Sequence, residues 1–376
     1  MMRGMRRAVP ARPAARRTSR VRGLLRRVTP VVVVATVSSI VLTQAPLDAE
    51  PDAPRTARSA QAADTAGRPV PAPAPPVEAI VPVATERVVI GLRKGTVRGD
   101  GSTEYVANRT TFRPGPTTVT LPPRVRARSW VVVDLDSGRV LGKHRARTHL
   151  PQASTLKLLS AVTAMRTIRP AARHRVTKFE DDQVCACAGV RKGRVYDRDT
   201  LLAGMLLPSG NDAAEALAGS HPQGRQGFYR AMNDLARELG ATDTVARNAS
   251  GLTAEGSHSS ARDLVLMLRA AVNDPTVRGV LAQRSATIAT VRGRPAHAVW
   301  RATDYVNRYP ASLGKSGWTT PAQNTLAVVS RIRGHRIAVA TLGAPTGYSS
   351  TGTRALARWA ADNFDGLQDV GRLPQS

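Results

Sequence analysis

The chain has 376 residues, room for two or three average domains, and its 55 Lys+Arg against 27 Asp+Glu leave a net charge of +28. The excess is uneven: residues 1–28 hold ten Arg and no acid, and only six of the 55 basic side chains are Lys, a skew that GC-rich coding explains without any binding role. Aromatic residues make up 4 % and form no RNA-stacking or recognition-helix pattern, which argues against a nucleic-acid partner.

The only long uncharged stretch, VTPVVVVATVSSIVLTQAPL, lies between Arg27 and Asp48, with an apolar centre at residues 31–42. A basic segment followed by an apolar one is common to export signals and membrane anchors. A span needs about 20 predominantly apolar residues, so the Thr, Ser and Gln here make it marginal. The cleavage candidates are poor, because Thr43-Gln44-Ala45 is not of the A-x-A type and Pro46 follows at once. The reading is an uncleaved signal-anchor over 29–47, with a removed signal peptide as the alternative. Either way residues 1–28 form a basic cytoplasmic tail and everything beyond residue 48 is extracytoplasmic, held at the cell membrane in the first case and secreted in the second.

Nine prolines between Pro46 and Pro82 alternate with Ala, Thr, Ser and charges, so 48–84 reads as a semi-rigid polyproline spacer. Residues 85–122 show short β-prone runs at 87–92 and 117–121, separated by the Asp100-Gly101 turn signal and FRPGP, a small extension to which no function attaches.

From 123 to 368 the pattern is that of one globular α/β unit, large enough for a good core, with a short tail over 369–376. Trp130-Val131-Val132-Val133-Asp134-Leu135, the Asp136-Ser137-Gly138 turn and Arg139-Val140-Leu141 predict a hairpin. A helix is predicted from about Ala153 through Leu158, Leu159, Val162 and Met165, another over 200–207 ended by Pro208, and others over 228–239 and 261–271. Residues 325–330 and 337–342 flank Arg333-Gly334-His335 as a second hairpin, and 353–361 closes as a helix. Strands at both ends with helices between them imply a single sheet built from the two ends and covered by a central helical region.

Three short patterns within this unit carry chemistry. Ser154-Thr155-Leu156-Lys157 reads S-x-x-K and places a hydroxyl and an ammonium on one helix face. A serine in a first helical turn also has backbone N–H groups and the positive dipole end beside it, which suits an oxyanion. Ser209-Gly210-Asn211 follows the Pro208 break and projects two polar side chains from a loop. Lys315-Ser316-Gly317, before Trp318, begins an edge strand with which a peptide backbone can pair. Alone, each is an N-cap, a turn or a strand-end charge; together, in this order and using two of six lysines, they are specific.

Their combination resembles the penicillin-binding D,D-peptidases and serine β-lactamases, whose signature is S-x-x-K, S-x-N and K-T-G or K-S-G. The nearer likeness is to low-molecular-mass D-alanyl-D-alanine carboxypeptidases. It is carried by VVVDLDSGRVL, LPQASTLKLLSAVTA, LLPSGNDAAEALA, FYRAMNDLARELGATDTVARNASGL and HSSARDLVLM over about residues 127–365. The resemblance implies an α/β (α+β), β-lactamase/D,D-peptidase-like fold with an antiparallel sheet made from both ends of the domain. It makes Ser154 the nucleophile, Lys157 its base, Ser209 a proton relay to the leaving amine, and Asn211 the group that orients Lys157 and binds the substrate amide. Lys315 and Ser316 would hold the terminal carboxylate, with Lys315 also lowering the Lys157 pKa. Gly317 belongs to the same substrate-binding strand, and the backbone N–H groups of Ser154 and Trp318 would form the oxyanion hole. No metal or cofactor is implied. The substrate is a peptidoglycan stem peptide ending in D-Ala-D-Ala, β-lactams are inhibitors, and the protein acts as a monomer.

Two departures bear on the activity. Nothing after Asn211 reads as the E-x-x-L-N segment of class A β-lactamases, which disfavours fast penicillin hydrolysis. About a dozen residues follow the closing helix, too few for the C-terminal β domain and anchor of many relatives, so the N-terminal segment is expected to replace that anchor. The expected activity is therefore serine-type D-Ala-D-Ala carboxypeptidase. The alternatives are a D,D-endopeptidase, a weak β-lactamase, or a non-catalytic penicillin- or wall-binding protein. His258 is expected to be structural, and Cys185 and Cys187, one residue apart, read equally as a bridge or as free thiols.

Overall fold

A computed structural model describes residues 96–97, 103–107, 110–114 and 122–374. The apolar segment, the proline-rich spacer and the β-prone runs at 87–92 and 117–121 lie outside the described residues.

The N-terminal strands are β1 (Thr96–Val97), β2 (Thr103–Ala107), β3 (Thr110–Pro114), β4 (Ser129–Asp134) and β5 (Val140–His144). A 3-10 turn, Ala153–Leu156, leads into helix α1 (Lys157–Thr167). The central region holds β6 (Arg173–Arg175), α2 (Lys178–Asp181), β7 (Val195–Asp197), α3 (Arg198–Leu206), α4 (Asn211–Gly219), α5 (Gly224–Glu238), α6 (Ala261–Asn273) and α7 (Pro275–Ala282). Then come β8 (Ser285–Ala289), β9 (Ala296–Trp300), α8 (Asp304–Arg308), β10 (Ser312–Thr319), β11 (Gln323–Ile332), β12 (His335–Ala344), α9 (Ser349–Asp362) and β13 (Leu367–Gln368).

The main sheet runs β1-β2-β3-β5-β4-β12-β11-β10, with β13 on β3, and its strand pairs are antiparallel. Strands from the two ends of the domain meet at its centre, where Val131 faces Ala340 and Val133 faces Ala338. The expected sheet of chain ends is thus formed. The extension also joins it, because β3 pairs with β5 through Thr111↔Lys143 and Phe112↔Gly142.

Strand β4 is buried along its whole length because both faces of the sheet are covered. Alternation sorts its side chains: Val131 and Val133 join the large core with α1 and α6, while Trp130 and Val132 join a second cluster with Leu356 and Trp359 of α9. Strand β12 divides likewise, Ala338 and Ala340 to the first cluster and Ile337 and Val339 to the second. Residues 369–374 differ from the expected tail: Val370 and Leu373 are buried in the large core, and their amides bond the carbonyls of Val140 and Gly138. Two apolar side chains and a backbone pairing make this segment part of the domain.

Side-chain caps start several helices. Asp197 accepts from Thr200 N at 2.7 Å before α3, Ser260 from Asp263 N at 3.2 Å before α6, and Asp274 from Val277 N at 2.9 Å before α7, where Pro275 occupies the first turn. Helix α4 has no such cap, and its Asp212 is used elsewhere.

Candidate active site

The segments that carry Ser154 and Ser209 are shaped by backbone that favours glycine yet carries side chains. Ala153 has φ +48° and Ser209 has φ +66°, conformations that cost non-glycine residues free energy and persist only where the surroundings impose them. Two true glycines press on the first of these. An ideal Cβ on Gly251, at φ +80°, would lie 2.0 Å from the Ala153 carbonyl oxygen. One on Gly317 would lie 2.6 Å from Ser154 N and 2.7 Å from Thr325 Oγ1. The missing side chains let the 248–251 turn and β10 close directly on the Ser154 amide. Ser154 itself sits in the 3-10 turn, with Lys157 as the first residue of α1, so the three-residue spacing acts across a tighter turn than the expected α-helix.

Lys157 is fully buried and its Nζ has three partners: Ser154 Oγ at 2.9 Å, Asn211 Oδ1 at 2.7 Å and Ser250 O at 2.7 Å. Asn211 Oδ1 and Ser250 O can only accept. A neutral amine has two hydrogens and one lone pair, so it satisfies all three partners when it donates to these two oxygens and accepts from the Ser154 hydroxyl. Burial, and secondarily the charge of Lys315, holds the amine well below the ordinary lysine range, against the opposing pull of Glu215 and Asp212.

Asn211 opens α4 and is clamped from the other side. Its Nδ2 donates to Val184 O at 2.6 Å and its backbone N to Ala186 O at 2.7 Å. Asp212 faces the same loop and accepts from the amides of Ala188, Gly189 and Val190 at 2.7, 2.7 and 3.1 Å. Cys185 and Cys187 within this loop form a disulfide. Of the two readings of the cysteines, the bridge is the one present.

Gly210 leaves no room for a side chain, since a Cβ would meet Ala188 N and Gly204 O at 2.7 Å. Ser209 is buried at the α3–α4 junction, and its hydroxyl makes no hydrogen bond among the described residues.

The third motif lies in the middle of β10, at the sheet edge, rather than at its start. Lys315 is fully buried, its Nζ donates to Ser316 O at 2.8 Å, and burial pushes its pKa down to about 7. The backbone N and Oγ of Ser316 each lie 3.4 Å from Thr303 Oγ1. Trp318 is 57 % exposed. His258 stacks on His149 at 4.4 Å between centroids.

Sequence reasoning missed the layer that aims these groups. Glu215, fully buried on α4, accepts from Ala249 N at 3.0 Å and Ser250 N at 3.2 Å, and its other oxygen accepts from Tyr229 Oη. Burial, and then the Glu215 carboxylate, raise the Tyr229 pKa far above its usual value. The carboxylate thereby turns the Ser250 carbonyl toward Lys157. A local signal existed for the turn: Asn248 Oδ1 accepts from Gly251 N at 2.8 Å, the side-chain-to-backbone bond that an N-x-x-G sequence favours. Nothing marked Glu215 or Asp212 apart from their place inside an otherwise alanine-rich helix.

Comparison with known proteins gives a consistent result. Residues 116–346 match a family model described as D-alanyl-D-alanine carboxypeptidase. The chain is 35 % identical over 237 residues to the D-alanyl-D-alanine carboxypeptidase DacB2 of Mycobacterium tuberculosis, covering 60 % of this chain and 80 % of that protein. It is 28 % identical over 269 residues to DacD of Escherichia coli K12, also a D-alanyl-D-alanine carboxypeptidase by name, covering 67 % of each. A crystal structure of a D-alanyl-D-alanine carboxypeptidase from M. tuberculosis H37Rv superposes with a TM-score of 0.64 at 32 % identity, covering 69 % of this chain and 99 % of that one.

Proposed function

Since the chain belongs to the D-alanyl-D-alanine carboxypeptidase family, we propose that it removes the terminal D-Ala of peptidoglycan stem peptides through an acyl-enzyme on Ser154. The observation that carries the assignment of roles is the set of partners around Lys157 Nζ, which leaves its lone pair directed at the Ser154 hydroxyl. A hydroxyl is a weak nucleophile until a base within hydrogen-bond reach takes its proton. Lys157 meets that condition at 2.9 Å, and burial lowers its pKa well below the ordinary lysine range, which favours the unprotonated amine that a base requires.

Ser154 Oγ attacks the penultimate D-Ala carbonyl while the proton passes to Lys157. The developing oxyanion takes the backbone N–H groups of Ser154 and Trp318, which the bare Gly317 allows to approach one another. Asn211 holds Lys157 through Oδ1. Ser209, with an uncommitted hydroxyl beside that asparagine, returns the proton to the leaving amine. Lys315 and Ser316 take the terminal carboxylate. Lys315, whose Nζ hydrogen-bonds only Ser316 O among the described residues, is a buried amine whose charged form a bound anion would favour. Water then hydrolyses the ester.

β-Lactams acylate the same serine, as inhibitors of the family. The uncharged stretch behind ten arginines supports an extracytoplasmic domain held at the cell membrane by residues 29–47. The test is mass spectrometry of the full chain with a penicillin, and D-Ala release from a stem pentapeptide. A single penicilloyl adduct that Ser154→Ala abolishes, together with D-Ala release, is expected; an adduct that survives in Ser154→Ala overturns the assignment.

A further inference from the structure

Helix α4 serves the site with one face. Asn211, Glu215 and Gly219 recur at intervals of four residues, so they lie one above the other along the helix. Asn211 holds Lys157, Glu215 holds the amides of Ala249 and Ser250, and Gly219 lies against Glu180 and His174, where a Cβ would come within 2.8 Å of His174 Cε1. Ser250 links this face to the base: its N–H goes to Glu215 at 3.2 Å and its carbonyl to Lys157 Nζ at 2.7 Å. Glu215 and Lys157 are both fully buried on either side of that one residue, so the charge of the first acts on the second with little screening.

Behind Glu215 stands a guanidinium shared by two buried carboxylates. Arg225 donates through Nη2 to Glu180 at 2.7 Å and places Nε 3.6 Å from Glu215 Oε2. That Nε is buried and makes no hydrogen bond among the described residues, so it meets Glu215 as a charge and not as a donor. Arg225 occupies the first turn of α5, where a cation opposes the helix dipole, and its two anionic neighbours offset that cost. Phe179 covers the guanidinium, whose carbon lies 4.1 Å from the ring centroid. Glu180 is completed by His174 Nε2 at 2.9 Å and Thr177 N at 2.6 Å. The charges that bear on Lys157 come from both walls: Lys315 on β10 opposes its protonation, while Glu215 and Asp212 on α4 favour it. Among the described residues Asp212 has no cation in contact, and Arg225 is the one that Glu215 has.

We infer that Glu215 and Arg225 are positioning residues of the acylation step, the carboxylate aiming the Ser250 carbonyl at Lys157 Nζ and the guanidinium offsetting the negative charge that this aiming brings toward the base. The inference rests on the proposed function, since it takes Lys157 as the group that accepts the Ser154 proton. A buried carboxylate is a strong anchor for two amides, but its charge favours the protonated amine, which cannot act as a base. Arg225 approaches the oxygen that the amides leave free, so the anchor stays intact while its charge is balanced.

The experiment measures the rate constant for penicillin acylation of the full chain from about pH 4 to about pH 9, with Tm recorded for each protein. Glu215→Gln keeps an oxygen for the Ala249 and Ser250 amides and removes the charge. Its rising limb is expected about one pH unit below the parent's, with a plateau about threefold lower because a less basic amine takes the proton. Arg225→Gln leaves the charge and removes its counter-ion, so its limb is expected about one unit above the parent's, and Arg225→Lys should bring it back at least halfway. In a Glu215→Gln background, Arg225→Gln should move the limb less than half as far as it does alone, since the guanidinium acts through the carboxylate. The Arg225 side chain is 25 % exposed, so its two variants test the inference even if Glu215→Gln does not fold. Limbs that stay within about 0.3 unit of the parent's, limbs that move the same way in both single variants, or rates that fall evenly at every pH in step with Tm overturn the inference and leave the carboxypeptidase reading intact. A parent that penicillin does not acylate, or a Lys157→Arg protein that reacts at the parent's rate, overturns that reading instead.

Discussion

The helical wall of the cleft and its strand wall hold their functional groups by opposite means. On the helical side Ser154, Lys157 and Asn211 are cross-tied, and a second layer of Glu215, Asp212 and the disulfide loop fixes the carbonyls and amides that they touch. On the strand side, among the described residues, Lys315 Nζ hydrogen-bonds only the next residue's carbonyl, Ser316 has two long contacts to Thr303, and the backbone belongs to a sheet edge. Taking the Ser154 proton needs reacting atoms held to a fraction of an ångström, which the three partners of Lys157 Nζ provide, while the Ser209 hydroxyl near them stays uncommitted among the described residues. Recognition of a carboxylate and an extended backbone needs groups still in want of partners, and a free edge with an uncompensated amine supplies them.

The two lysines give the sharpest way to break this comparison. Lys157→Arg should lower the acylation rate constant by roughly 10²–10⁴-fold, because a guanidinium does not give up its proton. Lys315→Arg should lose about tenfold, chiefly in apparent affinity, since it need only present charge. The parent's rate should rise with pH as Lys157 deprotonates at its lowered pKa and fall above about 7 as Lys315 loses its charge. Lys315→Arg should keep the rising limb and lose the falling one. Equal and complete inactivation of both variants, measured with one penicillin across that range, would erase the distinction between the walls.

The two glycines probe rigidity instead of charge. Gly251→Ala forces a Cβ to within 2.0 Å of the Ala153 carbonyl at φ +80° and displaces the Ser250 carbonyl from Lys157. It should cost about 3 kcal/mol or more, seen as a Tm drop of roughly 6 °C or more, and acylation should fall with it. Gly317→Ala meets Ser154 N at 2.6 Å, but β10 is an edge strand and can move outward. Its acylation should fall about tenfold with Tm within about 3 °C of the parent. A Gly317→Ala protein as unstable as Gly251→Ala would mean that the strand wall is as fixed as the helical one.

The smallest effect is on stability alone. Lys315 has a folded pKa of about 7, below the unfolded lysine range near 10.4. Between those values the unfolded chain holds the extra proton, so this group's contribution makes the protein more stable as pH rises from about 7 to 10. Lys315→Met should remove that slope and raise Tm by a few degrees at pH 6–7, in thermal melts of both proteins, while substrate affinity is lost. An unchanged slope would mean that Lys315 is not an unpaired buried amine.

Much of the strand wall and half of the helical wall were legible beforehand, for a physical reason. Ser154, Lys157, Ser209, Asn211, Lys315 and Gly317 lie in short local patterns whose spacing encodes their geometry. The hairpins β4–β5 and β11–β12 announced themselves by β-branched runs around polar turns. Glu215 and Asp212 did not, because a carboxylate that serves a loop 34 or 24 residues away leaves no local periodicity. The β8–β9 hairpin was likewise hidden, since SATIA and AHAVW are mostly exposed strands without the alternation a buried face imposes. The packing of Val370 and Leu373 depends on partners more than 200 residues earlier in the chain.

The pairing of β4 with β12 also sets the order in which the molecule comes into being. Val131 must wait for Ala340, some 200 residues later, before the middle of the sheet exists. Closing so long a loop is paid in chain entropy before any ladder bond is gained, so folding should be slow for a domain of this size. Until β12 is made, the Trp130-Val131-Val132-Val133 run has an open edge on its core side, a segment prone to wrong pairing. A chain that stops short of β12 would therefore aggregate rather than keep partial activity, and the last strands decide whether a nascent chain becomes an enzyme.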